Sequence, residues 1–193
     1  RQHTGNDMSI LTRRSFTLGL MAGTPLLAAC GNGVGSGGAA KIDARVDATI
    51  NHMYTRYPNT RTLAEKSTGM LVMPVVTEAG FGIGGGFGRG ALRVNGVTVD
   101  YYSATKGSIG LQIGAQQFAH VLFFMTEDAL ERFRRSSGWA AGADIEYVFN
   151  DTGENLRAET TTSASPVVAV IFGQAGAMAG VSLEGMKYSR IIP

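Results

Sequence analysis

From residue 80 to residue 90 every even position is glycine, while Phe81, Ile83, Phe87 and Arg89 stand at odd positions. Side chains in a strand alternate between its two faces, so this pattern predicts a strand with one face of side chains and one of bare backbone. Glycine weakens a strand interior through entropy and lost packing. So regular a run therefore points to sharp curvature, or to something pressed onto the bare face. The spacing returns at Gly110 and Gly114, with Ile109, Leu111, Ile113 and Ala115 on the apolar face. The two stretches together predict a strongly curved, mostly antiparallel β-sheet or a partly closed barrel.

Other periodicities place helices before and within this sheet, giving an α+β class. Over Lys41 to Tyr57, Ile42, Val46, Ile50, Met53 and Tyr57 recur at steps of three or four, which predicts an amphipathic helix ended by Pro58-Asn59. A shorter helix follows from Thr60 to Ser67, with Leu63 and Ala64 inward. Met70 to Val76 reads as an apolar strand that Pro74, lacking an amide proton, confines to an edge or a bulge. The glycine strand runs on to Val94, and Asn95-Gly96 between alternating segments is a strong hairpin signal. Val97 to Ser103, Ser108 to Ala115 and Phe118 to Met125 are read as successive strands, the last apolar apart from His120. Thr126 caps an internal helix with Glu127 and Asp128 in its first turn, Arg134 and Arg135 in its last, and Gly138 beyond. Ile145 to Phe149, Val167 to Phe172 and Met178 to Leu183 complete the strands, and Asn150 to Ala164 is a polar loop.

The amino terminus changes the picture from a plain globular domain to an exported one. Residues 1 to 7 precede Met8 and are set aside as a cloning scar or upstream sequence. From Met8, Arg13-Arg14 supply a positive region, Phe16 to Ala29 an apolar region, and Leu27-Ala-Ala-Cys30 the small-residue cleavage site of a bacterial lipoprotein signal. An apolar region of about 14 residues makes roughly 21 Å of helix, short of the ~30 Å hydrocarbon core, so it reads as a signal and not as an anchor. Thr12-Arg-Arg-Ser-Phe16 suits either twin-arginine or general export. Cys30 is the single cysteine, so an intramolecular disulfide is excluded and acylation is its expected role. Gly31 to Ala40 reads as a glycine-rich tether with a reach of roughly 18 Å. Gly31 also lacks the aspartate that retains many lipoproteins in the inner membrane, which favours the outer membrane. Without residues 1 to 29 the chain carries 14 basic and 14 acidic residues, so the basic character belongs to the precursor. That balance gives no basis for a nucleic-acid partner.

Candidate chemistry is sparse. Gly80, Gly82 and Gly85 satisfy G-x-G-x-x-G with Asp100 about 20 residues on, but strand-like alternation follows them, and no helix N-terminus is offered to a pyrophosphate. Beyond the signal only His52 and His120 remain, the first on a helix surface and the second in an apolar strand, where a packed core role is expected. Asp144 and Glu146 read as solvated charges at a strand start, and Asn150-Asp-Thr152 reads as a turn. No nucleophile elbow, zinc-binding His pair or Walker lysine occurs. No catalytic residue, cofactor or metal is therefore expected. For the first helix two readings stand: its apolar face caps the sheet, or it lies in a membrane interface with Lys41, Arg45 and Arg56 near headgroups and Asp43 and Asp47 opposing them. Arg132, Arg134 and Arg135 form the densest basic cluster, serving either the helix end or an anionic headgroup.

Three motifs carry a family resemblance: Ala79-Gly-Phe81 with the glycine run, Lys106-Gly-Ser-Ile-Gly-Leu-Gln-Ile-Gly114, and Ala179-Gly-Val-Ser-Leu-Glu-Gly185. Together they resemble the SYLF domain over roughly residues 41 to 193. Bacterial members are commonly exported lipoproteins, and eukaryotic ones bind phosphoinositide membranes, some yeast members also acting on actin. The resemblance implies a domain without catalytic activity, held in the bacterial envelope by acylated Cys30, that binds anionic lipid headgroups or an envelope protein. Lys106, which opens the second motif, joins the lipid-binding candidates, although an ion pair or backbone cap would serve it and Glu184 equally. Two positions depart from the family pattern: Glu78 stands where a basic residue is frequent, and Gln174-Ala175 where Ser-Lys is. A purely structural envelope lipoprotein and an unrecognised hydrolase are the alternatives.

Overall fold

The computed structural model describes residues 37–142, 145–149, 165–175 and 181–193. Cys30, the signal, most of the tether, Asp144 and the loop Asn150 to Ala164 lie outside the described residues. In chain order the elements are α1 (Gly38–Arg56), α2 (Thr60–Lys66), β1 (Gly69–Val94), β2 (Val97–Phe124), α3 (Glu127–Arg135), β3 (Trp139–Ala140), β4 (Ile145–Phe149), β5 (Val167–Ala175) and β6 (Lys187–Ile191). This is the expected α+β arrangement: a curled, mostly antiparallel sheet with two amino-terminal helices and one internal helix. Helix α1 begins at Gly38, so the last three residues read as tether are helical.

Strand β2 is the spine of the sheet. It pairs along its length with β1, through Tyr101–Thr105 with β6, and through Gln117–Phe124 with β5. The order is β3-β6-β2-β5-β4, with only β4 and β5 parallel. Asn95 and Gly96, at φ 50° and 79°, turn the β1–β2 hairpin as expected. The segments read as three return strands are one, because Lys106 and Gly107 sit opposite Gly86 and Gly85 and the ladder does not break there. Pro74 falls where the register shifts between Met73 and Val76, so its missing donor is accommodated in a bulge. Of the strand expected over Met178 to Leu183, residues 178–180 lie outside the described residues; Val181 to Leu183 are irregular although Val181 and Leu183 are buried, and the strand that follows them is β6.

The bare face of the glycine run is occupied by the same strand. A Cβ added at Gly80 would lie 2.7 Å from the Gly84 Cα, one at Gly86 3.0 Å from the Glu78 Cγ, and one at Gly88 2.7 Å from the Val75 carbonyl oxygen. At Gly90 it would strike the Val72 carbonyl and the Met73 sulfur. Positions about equally far from residue 82 thus meet, which means that β1 doubles back and closes on itself. Side chains on those glycines would hold its halves apart.

Two cores result, one on each face of the sheet. Leu71, Met73, Leu92, Tyr102, Leu122 and Phe124 pack with α3, where the Phe133 ring lies 4.7 Å from Tyr102 and 4.8 Å from Phe124. Thr126 caps α3 by accepting the Ala129 amide at 3.2 Å. On the other face Val72, Ala91, Ala119, Val121, Phe123 and Phe172 receive Ile42, Val46 and Met53 of α1 and Leu63 of α2. Each such buried side chain contributes ~1.5–3 kcal/mol, and Ile50 and Tyr57, partly buried, pack against the same cluster, so the apolar face of α1 caps the sheet. His120 is buried as expected, its Nε2 2.8 Å from the Tyr188 hydroxyl, and burial pulls its pKa down to about 3.

Candidate lipid-facing site

Once the apolar face of α1 is spent on the core, what it can offer a partner is its polar surface. Lys41, Arg45, Ala48, His52 and Arg56 recur at steps that keep them on one side of a helix, and all five are exposed. Asp43 and Asp47 lie about 180° round the helix from that stripe. There they meet the β1–β2 hairpin. Asp43 accepts the Tyr101 hydroxyl and the Thr98 hydroxyl, each at 2.7 Å, and Arg93 pairs with Asp47 at 2.7 Å and with Asp43 at 3.5 Å. Burial, and then the Asp43 carboxylate that accepts its proton, push the Tyr101 pKa up to about 12, so this contact remains a neutral phenol on a carboxylate. The mixed charge of the helix in sequence is therefore sorted in space. The acids hold the hairpin, and the bases face outward.

The other candidates are placed differently. Lys106 is only 13% exposed: its amine is 3.6 Å from Glu78 and donates to the Ser182 carbonyl. Glu78 also accepts the Gln116 side-chain amide at 2.9 Å. Through the Ser182 carbonyl Lys106 ties the second motif to the third, and the Glu78 side chain passes over bare Gly86. Neither charge could be placed there from sequence alone, since Glu78 is in register with Gln116 and Lys106 with Gly86, and the two meet only because β1 doubles back over Gly86. Glu184 is exposed, its backbone amide donating to the Ser182 hydroxyl at 3.1 Å. On α3, Arg132 pairs with Asp128, Arg135 with Glu131 at 2.7 Å, and Arg134 with Asp100 at 3.5 Å. Asp100 also meets Arg190 at 3.4 Å. The α3 arginines are thus matched by acids, whereas Lys41, Arg45 and Arg56 share one uninterrupted exposed stripe.

A further surface feature is apolar. Ile83 is 77% exposed and Phe87 50%, with the Arg89 guanidinium 5.7 Å from the Phe87 ring centre. Among the described residues no group of three His, Cys, Asp or Glu side chains converges as metal ligands would, and no helix is long and apolar enough to cross a membrane.

Residues 105–190 match the family Ysc84, described as Las17-binding protein actin regulator. The SYLF resemblance carried by the three motifs is thereby shown over this segment, which holds the second and third motifs. The description is that of a binding protein. A comparison with curated proteins finds no match.

Proposed function

We propose that this chain is a non-catalytic, lipid-anchored protein of the bacterial cell envelope, held at the outer membrane by acylated Cys30, whose folded domain binds an anionic lipid surface. The observation that carries the reading is the sorting of charge on α1. Lys41, Arg45 and Arg56 look outward together, while Asp43 and Asp47 are engaged by Arg93, Thr98 and Tyr101. A base close to an anionic membrane is worth ~1 kcal/mol, so three together favour adsorption more than a hundredfold. The short stretch from Cys30 to Gly38 keeps this face near the bilayer, since eight residues span at most ~28 Å. Phosphoinositide selectivity would require a pocket of converging cations, whereas a stripe reads charge density.

The test is co-sedimentation of the unit Gly31–Pro193, compact on its own, with phosphatidylglycerol-containing vesicles. Reversal of Lys41, Arg45 and Arg56 to glutamate should abolish pelleting, and reversal of Arg132 and Arg135 should leave most of it. Equal loss in both sets would reject the α1 site. A wild-type domain that ignores the vesicles would favour a protein partner, which is the kind of ligand that the matched family's description names.

A further inference from the structure

Tyr188 is the one fully buried side chain of the five-residue strand β6. Its ring stands edge-on to Phe133 and lies 5.8 Å from Trp139, and its hydroxyl meets His120 Nε2 at 2.8 Å inside the core. On one side β6 pairs with Tyr101–Thr105 of β2, and on the other with β3, which is only two residues long. His120 is held far more firmly, because the ladder flanks it with Met73 of β1 and Ile171 of β5. A firmly held strand and a lightly held one are thus joined through the core by the His120–Tyr188 bond.

That bond suits only a neutral imidazole. One ring nitrogen meets Tyr188, and the other, Nδ1, is buried with no hydrogen-bond partner. A neutral ring carries one N–H and can leave Nδ1 as a bare acceptor, whereas an imidazolium donates from both nitrogens. It would leave a charged donor unmatched where water does not reach. The described charged and titratable groups on this face of the sheet are engaged elsewhere. Glu78 of β1 meets Lys106 and Gln116, Asp100 of β2 meets Arg134 of α3 and Arg190 of β6, and the Tyr102 ring lies on Phe133. β5 presents Ile171. A proton therefore enters only when the ring gains access to water, and the neighbour with the least holding it is β6.

We propose that His120 is an acid-operated latch, whose protonation gives up the Tyr188 bond and lets β6 leave the sheet together with β3 while β1, β2 and β5 stay paired. Burial holds the closed ring at about 3, below the value of about 6.5 for a ring in water, so β6 is closed above about pH 6.5 and opens more readily as the pH falls toward 3. The open fraction should rise roughly thirtyfold between about pH 7.5 and about pH 5. Opening draws Tyr188 away from Trp139 and Phe133 and parts Arg190 from Asp100, so it uncovers the aromatic end of this core.

Hydrogen exchange of Gly31–Pro193 at about pH 7.5 and about pH 5, corrected for intrinsic rates and resolved by peptide, tests the latch. Amides of Lys187–Ile191 and Trp139–Ala140 should lose protection roughly thirtyfold in acid with little dependence on urea, and at both pH values stay well below the protection of Gln117–Phe124. If β6 is as protected as β2 at both pH values, opening is global, His120 merely lowers stability in acid, and the latch is overturned. His120→Gln is neutral throughout and should remove the acid response of β6; the wild-type response in this variant would overturn the proposal. Tyr188→Phe keeps the ring, removes the hydroxyl and should speed β6 exchange severalfold already at about pH 7.5. Unchanged exchange there means that the bond does not hold β6, and the proposal falls on that result alone.

Discussion

Gly90→Ala is the smallest change that tests whether the glycine face exists for the closure of β1. A methyl at this position would lie 2.5 Å from the Met73 sulfur and 2.9 Å from the Val72 carbonyl carbon, and closer still to that carbonyl's oxygen. Carbon atoms prefer separations of about 3.5–4.0 Å, so the two halves of the strand would have to part by about 1 Å. They cannot part locally, because Val72, Met73, Ala91 and Leu92 are all fully buried and belong to both cores. Overpacking of this kind costs about 1–3 kcal/mol or more, and an obstacle of main chain places Gly90→Ala at the upper end. Gly107→Ala is the matched control: it lies in the partner strand, and its added methyl meets nothing within 4 Å. It should be neutral, or stabilise by about 0.4–1 kcal/mol through the unfolded chain. With a urea m-value of ~1–3 kcal/mol/M, the midpoint of Gly90→Ala should fall by roughly 1 M while that of Gly107→Ala holds. Coincident melts of the two variants would refute the idea that the bare face serves closure. Gly88→Ala, facing the Val75 carbonyl, should follow Gly90→Ala.

Three other perturbations probe different links. Burial holds the folded His120 pKa at about 3, against about 6.5 in an unfolded chain, so between these values the unfolded state binds the additional proton and stability falls as pH drops. From about pH 6.5 to about pH 5 the wild type should lose ~2 kcal/mol more than His120→Gln, and parallel pH profiles of the two would contradict this. Thr126→Ala removes the oxygen that caps α3 and should cost ~1 kcal/mol in a thermal or urea melt, with restoration by Thr126→Ser. Cys30→Ser in a bacterial host should move the protein from the membrane to soluble fractions, and unchanged membrane association would count against acylation as the anchor.

Features set by neighbours along the chain were legible from the residues alone. The stepped apolar positions of α1, the Thr126 cap, the positive-φ Asn95-Gly96 turn and the bulge at Pro74 each depend on side chains or dihedrals within a few residues, and each formed where its signal stood. Alternation likewise announced a bare face on the glycine strand. What lay upon that face was decided only in three dimensions, because Val72 and Gly90 meet through the doubling of a 26-residue strand and share no local signal. The short strands Trp139–Ala140 and Lys187–Ile191 escaped sequence reading for the same reason: β3 pairs with β6 and β6 with β2, partners far apart in the chain, and pairing, not propensity, makes them strands. Charge shows the division most clearly. Along the chain α1 alternates bases with acids, and Lys106 looks as available as Lys41. Folding draws Asp43 and Asp47 onto Arg93 and the hairpin hydroxyls and Lys106 onto Glu78, since a partly buried charge must find an opposite charge or a hydrogen-bonding dipole. The sequence determines which charges the protein has; the tertiary contacts select which of them remain at its surface to meet a partner.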